Sequence, residues 1–278
     1  TKKCQVVQGA HCPPLHQDFM FGSHKLEVVT KYKYLGIHET LNGLDYSDFL
    51  KEKLKNVRAK LAKTRRVGGH INGLDPYNAR RLYLSQIRPV IEFGATTIPY
   101  DATVLTKLDN MQFECLRQLF GFFPKTKKET ILALVGLPRI RTRVAQLKLC
   151  FYNKLKTFDD SLYLKVLMRE SFKAGRCSGL GSDIRAIHKE FSKFPIFVQK
   201  MGTFLDVNTV EPCTTRFNAS TKALLEGCDF QQCLERLAHS ADSARGGSGQ
   251  AGRAYAYLEK EKRPRLCPLL VLNPAHRS

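Results

Sequence analysis

The chain has 278 residues, with 45 Lys and Arg against 25 Asp and Glu, and its formal net charge is +20. A hydrophobic content of 43% and a charged content of 25% are ordinary for a globular protein and exclude a chain that is disordered throughout. No apolar run approaches the roughly 18 residues that a transmembrane helix needs. Thr1-Lys2-Lys3-Cys4 is neither a start nor a signal sequence, so we expect a piece of a longer polypeptide.

The positive charge is concentrated in the first half of the chain. Residues 1–155 hold 26 Lys and Arg against 12 Asp and Glu, so a polyanion is the expected partner. An anionic membrane surface is the alternative, but the chain has no Trp and no basic helix with bulky aromatic residues opposite. We therefore expect no membrane partner. Nine irregularly spaced cysteines favour reduced thiols and an intracellular location, in the nucleus or the cytoplasm.

The first forty residues predict strands and turns. Lys31-Tyr32-Lys33-Tyr34-Leu35-Gly36-Ile37 alternates basic and aromatic residues before a glycine. Alternation with a period of two is typical of a β-hairpin that has two different faces.

From Asp45 onward the apolar residues recur with a helical period. Helices are predicted to begin at residues that can cap them: Asp45 or Ser47, Asp75 ahead of Pro76, Asp101, the Thr126–Glu129 capping box, and Asp159-Asp160. In the helix that follows Pro138, we expect Val144, Leu147 and Phe151 to face inward.

The predicted fold class is mainly α. A short N-terminal β-hairpin at 1–40 precedes a helical bundle at 41–155 and a looser helical region at 156–278. Small residues at 241–254 predict a linker inside that last region.

The helix expected at 46–66 is the most informative surface. Its only acid after residue 49 is Glu52, whereas its cations are Lys51, Lys53, Lys55, Arg58, Lys60, Lys63, Arg65 and Arg66. Like charges four residues apart repel, so a negative partner is expected opposite them. Regularly spaced cations on a rigid helix can follow the phosphates of a nucleic acid. A basic face that serves only solubility is the alternative, and we favour nucleic acid.

A second basic cluster surrounds Pro138. Arg139, Arg141 and Arg143 occupy alternate positions after it, and Lys125, Lys127 and Lys128 precede it. Cations at a helix N-terminus oppose the helix dipole, which favours a binding role. Exposed arginines with no binding role are an equally good interpretation.

Residue patterns that carry catalysis are scarce. Phe158-Asp159-Asp160 superficially resembles a pair of metal ligands, but it lies between helical patterns, and helix capping is the better interpretation. No phosphate-binding glycine loop, zinc spacing or serine elbow is present in the sequence. We therefore predict no catalytic residues, no metal site and no cofactor in this chain.

Four segments, in order, resemble the reverse transcriptases of non-LTR retrotransposons, especially jockey-like elements. They cover roughly half of the chain and are Tyr32 to Ile37, Leu82 to Gly94 with Arg88-Pro89 inside it, Leu108 to Arg117 with Gln112, and Glu129 to Leu155 with Gly136-Leu137-Pro138. The chain departs from the family pattern at Phe93, where the family usually has Tyr, and it lacks a recognisable C-terminal Cys/His knuckle.

This resemblance implies that residues 1–40 end the palm and that 41–155 form the thumb of an RNA-directed DNA polymerase. Tyr34, Leu35 and Gly36 would then form the primer grip, next to a template–primer duplex of RNA or DNA. Lys51, Lys55, Arg58, Lys63, Arg65 and Arg66 would contact phosphates, together with Arg139 and Arg143. The metal-binding aspartates would lie upstream, with the palm and fingers of the same polypeptide, so Mg²⁺ is expected only in the intact enzyme.

The chain alone is therefore predicted to bind nucleic acid without polymerase activity. The alternative is a non-enzymatic helical interaction protein, derived from a mobile element, that binds an acidic partner through its basic face.

Overall fold

The computed structural model describes residues 5–8, 18–34, 36–69, 73–172 and 179–194, with the single positions 225, 226, 228, 229 and 232. The predicted linker at 241–254 lies outside these residues. Within them the fold is mainly helical with a few short strands, which confirms the predicted fold class. By its internal contacts the chain divides into two units, Thr1–Asn56 and Val57–Ser278, and the division falls inside a helix.

The first unit contains all the strands that the structure describes. They are β1 (Gln5–Val7), β2 (Met20–Phe21), β3 (His24–Lys25), β4 (Glu27–Val29), β5 (Lys31–Tyr34), β6 (Ile37–Thr40) and β7 (Gly43–Leu44). β1 pairs with β4 in parallel, β2 pairs with β3 in antiparallel fashion, and β5, β6 and β7 form an antiparallel meander. The predicted hairpin is β5–β6, in which Tyr34 lies opposite Ile37.

The helices in the described residues begin close to the predicted caps. They are α1 (Tyr46–Arg66), α2 (Pro76–Leu82), α3 (Arg88–Glu92), α4 (Ala102–Phe120), α5 (Lys128–Val135), α6 (Ile140–Lys156), α7 (Tyr163–Phe172) and α8 (Gly179–Phe191). Asp45, Asp75 and Asp101 each accept backbone N–H bonds from the first turn of α1, α2 and α4. These three caps are confirmed.

A π-helical turn at Tyr83–Ile87 joins α2 to α3 without a break. Pro89 has no N–H to donate to the carbonyl of Ser85, so the ordinary α-helical bond at that position is missing. The N–H of Arg88 instead reaches back five residues to the carbonyl of Tyr83. Residues 76–92 therefore form one rod with a wide turn in its middle.

Two sequence-based expectations for the helices are wrong. No side chain caps α5, which follows Lys127, and the carboxylate of Glu129 pairs instead with Arg139. On α6, Phe151 is exposed, whereas Lys148 is fully buried. The apolar spacing could not reveal this because the burial of Lys148 depends on a carboxylate 35 residues further along the chain.

Side chains of α4 hold the start of α6 in the second unit. The amide of Gln112 donates to the carbonyl of Pro138 at 2.9 Å and accepts the N–H of Ile140 at 2.9 Å. Asp109 accepts the N–H of Arg141 and also pairs with its guanidinium. Two motif residues one turn apart on α4 therefore satisfy the free N–H groups that open α6.

Helix α8 is attached to the bundle by buried charge. The ammonium of Lys148 lies 2.6 Å from Asp183 and 3.0 Å from the carbonyl of Thr96. The other oxygen of Asp183 accepts the N–H of Tyr100 at 2.8 Å. Burial lowers the pKa of Lys148, and Asp183 partly opposes that shift. None of the helices in the described ranges is long and apolar enough to cross a bilayer.

Replacing Gln112 with Ala should destabilise the second unit by about 2–4 kcal/mol. The substitution leaves the buried N–H of Ile140 and the carbonyl of Pro138 without partners, and each unsatisfied group costs about 1–3 kcal/mol. Urea unfolding gives the difference. Gln118→Ala on the same helix is the matched control, because that side chain is only half-buried and bonds an exposed arginine. Equal losses of stability from the two substitutions would contradict the role of Gln112 in holding α6 to α4.

Asp183→Asn should destabilise the protein by about 3 kcal/mol or more near neutral pH, because it leaves a buried ammonium without its carboxylate. The asparagine oxygen can still accept the Tyr100 N–H. Without Asp183, the pKa of folded Lys148 should fall further below that of an unfolded lysine. The unfolded state then binds more protons, so the variant regains stability as the pH rises.

Chemical unfolding at neutral and alkaline pH measures this recovery. Glu114→Gln, which removes the carboxylate of a half-exposed pair, is the control and should cost less than about 1 kcal/mol. A deficit for Asp183→Asn that does not shrink at alkaline pH would contradict the role given to Lys148.

Candidate nucleic-acid interface

Helix α1 has two sharply different faces. Leu50, Val57, Leu61 and Thr64 are buried, at spacings of seven, four and three residues. The opposite face is solvent-exposed and carries Lys51, Lys55, Arg58, Arg65 and Arg66, which we call the α1 stripe. At a rise of 1.5 Å per residue, the stripe extends over about 22 Å.

Three cations of α1 lie away from the stripe, and one of them, Lys60, is half-buried. Lys63 is exposed on its flank. Lys53 lies on the buried face, where its ammonium stands 4.9 Å from the centre of the Phe49 ring. Burial lowers the pKa of Lys53 to about 8. Lys53 is therefore not available on the exposed face.

The stripe is only weakly neutralised by the protein. Arg58 lies 3.4 Å from Glu114, Lys51 lies 3.3 Å from Asp48, and Arg65 donates to the neutral amide of Gln118 at 3.3 Å. Within the part of the chain that the structure describes, Lys55, Lys63 and Arg66 have no carboxylate partner. Most of the positive charge on this face is therefore available to an external anion.

The acids at the start of α1 are bound by the β5–β6 hairpin. Lys31 pairs with Asp45 and Asp48, and Lys33 pairs with Glu52. His38 lies 2.8 Å from the second oxygen of Glu52. The hydrogen bond from Lys33 lowers the pKa of Glu52, and the hydrogen bond from Lys31 lowers that of Asp48. The hairpin lysines are thus structural, and they hold strand β5 to the first turns of α1.

The tip of the hairpin contains the residues predicted to act as a primer grip. Tyr34 is 61% exposed, and Gly36 has a φ of 84°, a left-handed conformation that favours glycine. Leu35 lies outside the described residues. An exposed aromatic ring beside a tight glycine turn is compatible with contact to a nucleotide.

The arginines after Pro138 lie in ion pairs. Arg139 is 7% exposed, and its guanidinium lies 3.4 Å from Glu129 and 3.7 Å from Asp229. Arg143 forms an ion pair with Glu92 at 2.9 Å and donates a hydrogen bond to the neutral amide oxygen of Gln146 at 2.9 Å. These placements count against phosphate contacts by Arg139 and Arg143, so the function proposed below does not use them.

No catalytic centre is evident within the described ranges. Asp159 accepts bonds from the N–H and hydroxyl of Ser161, whereas Asp160 pairs with Lys165 and Arg169. No cluster of His, Cys, Asp and Glu in that part of the chain could hold a metal ion. The buried thiol of Cys115 has its pKa raised to about 12 by burial, so it is a poor nucleophile at neutral pH.

Comparison of the chain with protein-family models, with curated proteins and with solved structures gave no match.

Proposed function

We propose that this chain binds nucleic-acid duplex without reading its sequence, through the α1 stripe. In the reverse transcriptase that the four sequence segments resemble, this would be the work of the thumb of an RNA-directed DNA polymerase from a non-LTR retrotransposon. The observation that carries the proposal is one helix with five exposed cations on one face and little carboxylate to neutralise them.

The shape of the stripe supports nucleic acid over an acidic protein. Its cations recur along one helix and the phosphates of a duplex recur at a fixed spacing, whereas protein carboxylates have no fixed repeat. The exposed residues between them include Ala59 and Ala62, whose small side chains allow a phosphate backbone to approach the helix closely. Contacts of this kind position a duplex but carry no sequence information.

The β5–β6 hairpin extends the proposal to the end of a primer strand. It is attached to α1 through the pair between Lys33 and Glu52, directly beside Lys51 of the stripe. Tyr34 at its tip would contact the terminal nucleotide, and Gly36 would allow the backbone to approach. Metal ions and their carboxylate ligands would be supplied by the upstream palm, so this chain is assigned binding and no chemistry.

Replacing Lys55, Arg65 and Arg66 together with Gln should flatten the dependence of duplex affinity on salt. Each lost phosphate contact should reduce the slope of log affinity against log salt by about 0.9 for duplex DNA, so three contacts should reduce it by about 2–3. Fluorescence anisotropy of a labelled duplex, titrated at several salt concentrations, measures the slope. These three side chains have no ion pair to lose among the described residues, so the fold should be unaffected.

The matched control replaces three other exposed lysines with Gln. They lie on α6, on α8 and just after α8, and are Lys154, Lys189 and Lys193. It removes the same net charge from elsewhere in the second unit and should leave the slope nearly unchanged. An unchanged slope in the stripe variant would refute the proposal. Displacement of the duplex by polyglutamate, with no displacement of polyglutamate by duplex, would favour an acidic protein partner instead.

Tyr34→Ala should weaken binding to a duplex with a recessed 3′ end about 5- to 100-fold, because one base–aromatic contact is worth about 1–3 kcal/mol. Binding to a blunt duplex of the same length should not change. Tyr34→Phe keeps the ring and should bind both substrates as the unaltered chain does. Equal losses on both duplexes would contradict a role at the primer end.

A further inference from the structure

The loop between α4 and α5 exposes an aromatic ring beside lysines. Phe123 is 73% exposed, more than any other phenylalanine among the described residues. It is followed by Pro124 and then by Lys125, Lys127 and Lys128. A single exposed aromatic ring is common on protein surfaces, so what Phe123 can bind depends on the groups that surround it.

The backbone of this loop is well ordered. Gly121 ends α4 with a φ of 65°, and the N–H of Phe122 returns to the carbonyl of Arg117 at 3.1 Å. The N–H of Thr126 bonds the carbonyl of Phe123 at 3.0 Å, which closes a turn around Pro124. The guanidinium of Arg117 donates to the carbonyl of Thr126 at 3.2 Å. The loop is therefore held at both of its ends.

The two adjacent phenylalanines have opposite roles. The Phe122 ring stacks on buried Phe120, with 6.0 Å between the ring centres. This contact anchors the loop to the end of α4, and Phe123 is presented to solvent. Because hydrogen bonds already fix the backbone at Phe123, ligand stacking would have to order only its side chain.

The lysines around Phe123 are not neutralised. Lys125 and Lys127 are exposed and have no carboxylate partner within the described ranges. Lys128 donates to the neutral amide oxygen of Asn110 at 2.7 Å. The nearest acid in sequence, Glu129, pairs with Arg139. The ring therefore lies among positive charges that can take phosphates.

We infer that Phe123, Lys125, Lys127 and Lys128 form a second nucleic-acid site, which binds unpaired nucleotides of a single strand. An exposed ring can stack on a base only if one face of that base is uncovered, and bases inside a duplex have both faces covered. The lysines would bind the flanking phosphates. Aromatic rings combined with cations are the usual means by which proteins bind single strands without sequence preference.

This site lies beside the second half of the α1 stripe. Asn110, Glu114 and Gln118 are spaced four residues apart on one face of α4, where they contact Lys128, Arg58 and Arg65 respectively. The two sets of cations therefore border the same ridge of one helix. A strand that leaves a duplex on the stripe would reach Phe123 without leaving this surface.

The absence of tryptophan from the chain allows a direct test. In Phe123→Trp, stacking by a base should quench the emission of the single tryptophan when oligothymidylate is added. Tyr163→Trp is the matched control, because Tyr163 is 72% exposed on α7 and Lys165 beside it already pairs with Asp160. Its emission should not change. No quenching of Phe123→Trp at saturating oligonucleotide would overturn the inference.

A binding measurement separates this site from the stripe. Phe123→Ala should weaken oligothymidylate binding about 5- to 100-fold and leave its salt slope and the affinity for blunt duplex unchanged. Replacing Lys125, Lys127 and Lys128 with Gln should reduce the slope of log affinity for oligothymidylate against log salt by about 2. The stripe substitutions can also be combined with Phe123→Trp. If this combined variant loses duplex binding but oligothymidylate still quenches its tryptophan, the single-strand site is independent of the stripe. Equal quenching by polyglutamate would overturn the inference in favour of an acidic polypeptide.

Discussion

A charged group that leaves water loses its hydration, and this cost distinguishes the buried cations of the second unit from the exposed cations of α1. Lys148 is fully buried, and it pairs with Asp183 across the bundle. Arg139 and Arg143 are likewise paired with carboxylates from other helices. Lys55 and Arg66 remain in water on α1 and need no such partner. The division between paired, buried cations and exposed ones follows from desolvation cost.

The residues that carry the sequence resemblance also hold the second unit together. Gln112 joins α4 to the start of α6, and the carboxylate of Glu92 forms ion pairs with both Arg88 and Arg143. Outside those segments, Arg80 donates to the carbonyls of Val135 and Gly136 at the end of α5. Motif residues of this kind specify how helices meet. Their side chains already bond groups of the protein itself, so the proposed function relies on the exposed cations of α1.

Local sequence signals predicted the helices and several of their ends well. An aspartate before a helix, a proline at its first position and a glycine after its last turn each act through the adjacent backbone, so no distant information is needed. The exposed cations of α1 were predictable for the same reason, since its apolar residues define the buried face.

Side chains that depend on distant partners were not predictable. Thr126 and Glu129 have the spacing of a capping box, but Glu129 is taken by Arg139. Arg139 was expected at the surface, yet it is buried against Asp229, 90 residues further along. The exposure of Phe123 was not predicted because an aromatic residue in a sequence is ordinarily counted as core. A signal existed in the proline and the three lysines that follow it.

The wide π turn in the rod formed by residues 76–92 has a consequence for how that rod meets its neighbours. Four buried residues of the rod recur at intervals of four residues. They are Ala79, Tyr83, Ile87 and Ile91. On a regular α-helix, side chains four apart rotate by about 40° at each step, which would carry the last of them about 120° around the axis. The π turn winds more loosely and reduces that rotation. A repeat that should spiral around the rod thereby becomes a straight seam, and one slender helix can face the same core along its whole length.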